Sequence, residues 1–315
     1  MPINRVDIKN YLVFSGELSV DFCPGVNVLI GGNGTGKTTL LKCLYDLKWS
    51  YARLRDSDNY LLLDSDGNEL FTREKPVAGI DEREWGKAVA VDVTGNFIYI
   101  PEKDILEHAK GLLPFIEQKQ TGFNEIYRDL LVAAQDVPTS EQNEMQKEIG
   151  IKIADKIGGY IEWVQNDGSF YTVRTDGKRI PFATEASGFK KLGFLGLLVT
   201  TGQLGSGSVL LWDEPENSLN PGLVPFLVEI LLELARNRVQ IFIATHDYGF
   251  ARYFDVRKNK DVPVQFNNLL QLDNGQIVCH STTEYIKIPR NHLETASTDL
   301  FKAVVGDALE IQDDE

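Results

Sequence analysis

The sequence of 315 residues carries 32 basic and 46 acidic side chains, a formal net charge of −14, with 43% hydrophobic and 25% charged residues. This is the composition of a folded globular chain rather than a disordered one, and the length admits one large domain or a core with a sizeable insertion. The acidic balance excludes a broad cationic surface that would neutralise duplex phosphates, which leaves nucleic acid only a local basic groove.

In chain order, residues 5–8 and 18–22 read as short strands, and 26–30 as an apolar strand running straight into a glycine loop. Leu40, Leu41, Leu44 and Leu47 then recur at helical spacing up to Trp49. Asp66-Gly67, set between the apolar stretches 60–63 and 69–72, predicts a hairpin. Residues 96–100 read as a strand ending at Pro101, and 102–158 as mostly helical, with breaks near Pro114, Thr121-Gly122 and Pro138. A meander follows at 160–165, 169–175 and 179–182, turned at Asp167-Gly168 and Asp176-Gly177. Its aromatic residues Trp163, Phe170 and Tyr171 read as a packed face in preference to a base-stacking platform.

From Ser187 helix and strand alternate: an apolar helix over 192–204, a strand over 209–212, a helix opening at Pro221 with Asn220 as its cap, and a strand over 239–244. Asn274-Gly275 marks a final hairpin between 268–272 and 276–280. The alternation predicts an α/β fold, a mainly parallel sheet covered by helices on both faces. No repeat or heptad array is present. Cys23, Cys43 and Cys279 stand far apart without metal-ligand spacing, as in a reducing compartment. Residues 1–20 lack the apolar run of a secretory signal, and no apolar stretch approaches the ~20 residues of a membrane span. The expectation is a cytoplasmic protein with no membrane partner.

The chemistry concentrates in three blocks. Gly31-Gly32-Asn33-Gly34-Thr35-Gly36-Lys37-Thr38 matches GxxxxGK[ST] in full, after an apolar strand and at the opening of a helix, with Thr39 following. Glycines let successive backbone N–H groups turn around phosphates, the helix N-terminus adds its positive dipole, Lys37 reaches the β- and γ-oxygens, and the Thr38 hydroxyl ligates Mg²⁺. The cofactors expected are therefore ATP and Mg²⁺. The second block, 209–214, is four apolar residues followed by Asp213 and Glu214, a buried strand delivering acids at its C-terminal edge. Asp213 would hold Mg²⁺ through its water shell, and Glu214 would orient or deprotonate the attacking water. The third block ends the next predicted strand at His246, which returns to the same sheet edge within reach of a γ-phosphate.

Together these blocks resemble the ABC-type ATPases over residues 1–49 and 183–280. The resemblance implies a signature loop just before the second block that touches the γ-phosphate held by another subunit; Ser187 and Gly188 stand at that place, while Phe189 and Lys190 depart from the glycine and glutamine of transporters. The glutamine that such proteins carry where the second core strand leaves for the helical region is missing; Tyr99-Ile100-Pro101-Glu102-Lys103 stands at its place, with Glu102 or Lys103 as candidates to replace its metal contact. The strings DEPENSLNP, SGFKKLG and IPEKDIL look like the stand-alone bacterial AAA-family ATPases, similar to SMC, RecF and OLD-type proteins.

This resemblance implies an ATPase core split in sequence (1–49 and 183–280), an inserted helical and β subdomain (50–182), and a C-terminal helical extension with an acidic tail (281–315). It further implies an ATP-switched homodimer that controls a separate effector protein, in phage defence or a toxin-antitoxin-like system. The rival readings are a RecF-like DNA-repair clamp, a transporter's nucleotide-binding subunit and a P-loop small-molecule kinase. Tyr11 or Phe14 could stack on adenine or simply pack, and Lys190 and Lys191 could bind phosphate across a dimer or form a solvated helix face.

Overall fold

The computed structural model describes residues 3–46, 59–64, 69–72, 96–103, 125–135 and 142–313, with single positions between 104 and 124. The predicted turn at Asp66-Gly67, the helix end at 47–49, the breaks at Pro114, Thr121-Gly122 and Pro138, and the final Asp314 and Glu315 lie outside them.

The apolar strand β3 (Val26–Gly31) is completely buried. A strand buried at every position, with Asn27 its one polar side chain and no face turned to water, needs cover on both sides. It sits near the middle of a six-stranded sheet of order β13-β12-β3-β11-β10-β6, where β6 is Phe97–Ile100, β10 Val209–Asp213, β11 Gln240–Ala244, β12 Val264–Gln271 and β13 Ile277–Thr282. Neighbours run parallel throughout except the β12–β13 hairpin. Alternate residues serve the two faces. Val28, Ile30, Leu210, Trp212, Ile241 and Ile243 pack on one side, and Leu29, Leu211, Phe242 and Ala244 on the other.

The first face is covered by the helices α4 (Ser187–Thr200), α5 (Val224–Arg236) and α6 (Tyr248–Arg257), which contribute Leu195, Leu198, Leu227, Leu231, Phe250 and Phe254 to its core. The second is covered by α1 (Lys37–Asp46) and a four-stranded antiparallel sheet of order β2-β1-β4-β5. Here β1 is Ile3–Tyr11, β2 Phe14–Asp21, β4 Asn59–Asp64 and β5 Glu69–Thr72. Full burial of each such aliphatic or aromatic side chain contributes about 1.5–3 kcal/mol, so two contiguous faces of them fix the sheet between its covers.

Two further helices, α2 (Glu125–Gln135) and α3 (Glu144–Ile157), precede the antiparallel meander β7 (Gly159–Val164), β8 (Ser169–Arg174) and β9 (Arg179–Pro181). Phe170 is buried and lies 4.6 Å from Trp163 between ring centroids, the packed face read from sequence, but Tyr171, next to Phe170 in β8, falls on the opposite face and donates its hydroxyl to Asp167 at 2.7 Å. The stretch expected as an insertion over 50–182 does not stand apart throughout: β4 pairs with β1, and β6 pairs with β10 as an edge strand of the central sheet. A strand's sheet is chosen by its partner, and the partner of β6 lies more than a hundred residues further on. The last helix, α7 (His292–Asp313), forms the C-terminal extension. No helix among the described residues is long and apolar enough to cross a membrane.

Candidate functional site

The parallel order β3-β11-β10-β6 brings the C-terminal ends of four strands to one edge, so Gly31, Ala244, Asp213 and Ile100 hand over to loops that face a common space. Between β3 and α1 the glycine loop adopts backbone that side chains oppose: φ is +147° at Gly31 and +88° at Gly36. A Cβ on Gly31 would stand 2.4 Å from the Leu269 carbonyl oxygen, and one on Gly36 2.5 Å from the Phe14 ring. Phe14 is thus a buried floor beneath the loop, not a free adenine-stacking platform. At Gly34, also left-handed, a Cβ would meet nothing within 4 Å.

Lys37 Nζ donates to the carbonyls of Gly31 and Gly32, both at 2.9 Å. The lysine is 5% exposed and forms no ion pair among the described residues. Burial pushes its pKa down to about 8, against the pull of Glu214, Asp213 and Glu216. Thr38 Oγ1 donates to Asp213 Oδ2 at 2.8 Å, and the Tyr99 hydroxyl reaches the same oxygen at 3.3 Å. Burial raises the pKa of Asp213, and these two donors oppose the rise. Thr39 follows in the first turn of α1.

Glu214 has φ +48°, a left-handed conformation that costs a non-glycine residue about 1–3 kcal/mol and persists only where the surroundings impose it. Its N–H donates to Ala244 O at 2.9 Å, and its carbonyl accepts from Lys191 Nζ at 3.2 Å. Its Oε1 stands 3.5 Å from His246 Nε2. Burial raises the pKa of Glu214, helped by the charges of Glu102 and Asp213. Burial, followed by the Lys37 charge, lowers that of His246. Glu102, one of the two candidates to replace the missing glutamine, accepts from Asn217 Nδ2 at 2.9 Å, and its field acts on Asp213, Glu214 and His246. Lys103 is exposed.

Lys191, expected either to bind phosphate across a dimer or to lie on a solvated helix face, donates to the Glu214, Pro215 and Asn217 carbonyls. Three groups of this neighbourhood received no role from the sequence. Tyr99 touches Asp213. Glu216 and Thr245 join the loops after β10 and β11 by a 2.5 Å hydrogen bond. The only hint was the second acid of the DEPE string, just past a proline. Lys190, a candidate for a solvated face, is instead buried with its ammonium 5.7 Å over the Phe182 ring, which suits its apolar stem.

Ser187 and Gly188 open α4, one turn before Lys191. The N-cap is Ala186, with no side-chain cap bond, so Ser187 is the first helical residue and not a cap. Ser187 is exposed, and among the described residues no hydrogen bond joins it to the glycine loop. A Cβ on Gly188 would meet Leu219 and Leu223 at 3.2 Å.

These residues fit ATP with Mg²⁺. The loop is open at Gly34, a buried ammonium lacks a carboxylate partner among the described residues, and the Thr38–Asp213 pair offers the oxygen donors that Mg²⁺ takes when substrate phosphates and water complete its shell. Residues 118–252 match the family described as "AAA domain, putative AbiEii toxin, Type IV TA system", and residues 5–66 match a second family described as "AAA domain". The replication and repair protein RecF of Limosilactobacillus fermentum is 37% identical over 62 residues, 20% of this chain and 16% of RecF. The L-cystine import ATP-binding protein TcyN of Bacillus subtilis is 22% identical over 83% of this chain and 76% of its own.

Among solved structures, the Smc head bound to the C-terminal winged-helix domain of ScpA aligns with a TM-score of 0.53 at 12% identity, over 91% of this chain and all of that one. An Smc head with an extended coiled coil, bound to the C-terminal domain of ScpA derived from Pyrococcus furiosus, aligns at 0.52 and 10%, over 96% and 99%. The AAA-domain matches carry the glycine loop (5–66) and the acid-bearing strand (118–252) that the central sheet sets edge to edge, and the fold is similar to that of the Smc heads.

Proposed function

We propose that the chain hydrolyses Mg·ATP at a site completed by a second copy of itself, and that this cycle sets the state of a separate effector protein. The observation that carries the reading is Glu214, a carboxylate on strained backbone, 3.5 Å from His246 and next to the Thr38–Asp213 pair. Strain of this kind is kept where it aims a group at a reaction. Glu214 takes the proton from water as its oxygen bonds to the γ-phosphorus and the bond to the ADP oxygen breaks. A carboxylate with a raised pKa is the stronger base for that transfer. Lys37 neutralises the β- and γ-oxygens, and His246 holds a γ-oxygen through its ring. Thr38 and Asp213 would hold Mg²⁺, which would supply further charge neutralisation along the phosphates.

The N-terminus of α4, with exposed Ser187 and no side-chain cap, supports the dimer: its first-turn N–H groups and dipole suit a phosphate brought by a second copy. The family description that covers 118–252 names a type IV TA toxin, which favours an effector in a toxin-antitoxin-like or antiphage role. The RecF match favours a second reading, a DNA clamp, which the net charge of −14 opposes. Salt-sensitive DNA binding by the ATP-loaded protein would select it.

Glu214→Gln tests the main reading. Turnover should fall by about 10²–10⁴-fold with ATP binding retained, and light scattering with Mg·ATP should show a stable dimer. Wild-type turnover in Glu214→Gln would refute the hydrolytic reading, and a monomer that stays monomeric would refute the dimer.

A further inference from the structure

Past the ends of β10 and β11 the sheet ladder stops, and the last bond of its kind runs from Glu214 N–H to Ala244 O. Glu214 and His246 then leave on separate loops, and a 3.5 Å contact between half-exposed side chains is too little to hold them together. The link is made elsewhere. Glu216 Oε1 accepts the Thr245 hydroxyl at 2.5 Å and the His246 main-chain N–H at 3.3 Å. Thr245 is fully buried, and its oxygen accepts the Asp247 N–H at 3.0 Å, so its own proton is directed at Glu216. The other carboxyl oxygen of Glu216 is buried with no hydrogen-bond partner among the described residues.

We propose that Glu216 is the positioning residue of the site, joining the loop after β10 to the loop after β11 so that His246 stays against Glu214. The inference rests on the reading that Glu214 and His246 serve ATP cleavage; Glu216 acts through His246 and does not touch the nucleotide. Both of its bonds use it as an acceptor at one oxygen. The amide oxygen of glutamine supplies the same acceptor at the same reach, whereas aspartate is one methylene too short to meet Thr245 and His246 together. Burial also raises the pKa of this acid, which makes a neutral substitute a fair replacement.

The test compares Glu216→Gln, Glu216→Asp and Glu216→Ala in the full chain, measuring kcat and KM for Mg·ATP and the affinity for a fluorescent ATP analogue. Glu216→Gln should retain kcat within about threefold, while Asp and Ala lose tenfold or more with nucleotide affinity unchanged, the split expected when alignment and not binding is lost. Thr245→Val, which removes the donor and keeps the shape, should lose kcat likewise, so the inference stays testable if Glu216→Ala misfolds. Combining Glu216→Ala with His246→Ala should cost no more than His246→Ala alone.

Wild-type kcat in Glu216→Ala or Thr245→Val, an equal loss in Glu216→Gln and Glu216→Ala, or additive losses in the double variant would each overturn the inference. Glu214→Gln separates the two levels. If it turns over normally, the hydrolytic reading falls and takes this inference with it. If it is inactive while Glu216→Ala is fully active, the inference alone falls.

Discussion

Lys37→Met should make the nucleotide-free protein more stable while destroying its response to ATP. The ammonium is buried against two carbonyls with no carboxylate partner among the described residues, and burial brings its pKa down to about 8. A fall of that size from 10.5 corresponds to roughly 3 kcal/mol held against the charged form. Methionine removes that cost and keeps much of the stem's packing, but gives up the two hydrogen bonds at roughly 1 kcal/mol each. The net gain is about 1 kcal/mol, or about 1–2 °C in Tm for a chain of 315 residues.

In the wild type, saturating Mg·ATP should raise Tm through binding linkage, by about 2.7 kcal/mol at a hundredfold excess over Kd; in Lys37→Met that shift should vanish. The pH dependence has a matching sign. Below about pH 8 the folded lysine is charged against its surroundings, and between about 8 and 10.5 the unfolded chain binds the extra proton, so this residue's cost to stability is relieved as pH rises through that window. ATP affinity should fall over the start of the same window, as the ammonium that meets the phosphates discharges. Differential scanning fluorimetry of both proteins, with and without Mg·ATP from pH 7 to 9, reads all of these effects. A Lys37→Met protein that melts below the wild type and keeps its ATP shift would refute the reasoning.

Gly31→Ala should cost about 2 kcal/mol or more, because the new methyl meets the Leu269 carbonyl at 2.4 Å on backbone of φ +147°, whereas Gly34→Ala, with open space around it, should cost only about 1 kcal/mol of left-handed strain; equal denaturation midpoints would contradict this. Lys191→Met frees the Glu214, Pro215 and Asn217 carbonyls, so turnover should fall about tenfold or more with ATP affinity intact, and Lys191→Arg should recover part of it. Unchanged steady-state kinetics in Lys191→Met would show that the loop holds Glu214 without it.

The glycine loop, the acid pair and His246 were legible because each depends on a contiguous string whose chemistry is local: a turn that needs glycine, or an apolar strand that ends in a carboxylate. The central strands were legible for a similar reason, since a run as apolar as 209–212, or as 26–30 with its single Asn27, is buried on both faces. Pairing was not. Residues 97–100 look like any short apolar strand, and only contact with β10 makes them part of the central sheet. Helix α6 carries Phe250, Ala251 and Phe254 as its only buried residues, too sparse a pattern to stand out after Asp247. Lys190 and Glu216 escaped because charged residues are expected at the surface, and what admits them here is a distant ring and a distant hydroxyl.

The place of β3 in the sheet also governs when the molecule can acquire its ligand. Both neighbours of β3 are β11 and β12, so the strand that delivers the glycine loop has no partner in the central sheet until residues 240 and beyond exist. During synthesis, at about 5–20 residues per second, the loop leaves the ribosome early and waits for more than two hundred further residues before β11 and β12 can close around it. A nascent chain therefore meets cellular ATP with its phosphate loop made but unsupported, and nucleotide capture becomes a late step of folding that reports on completion of the whole sheet.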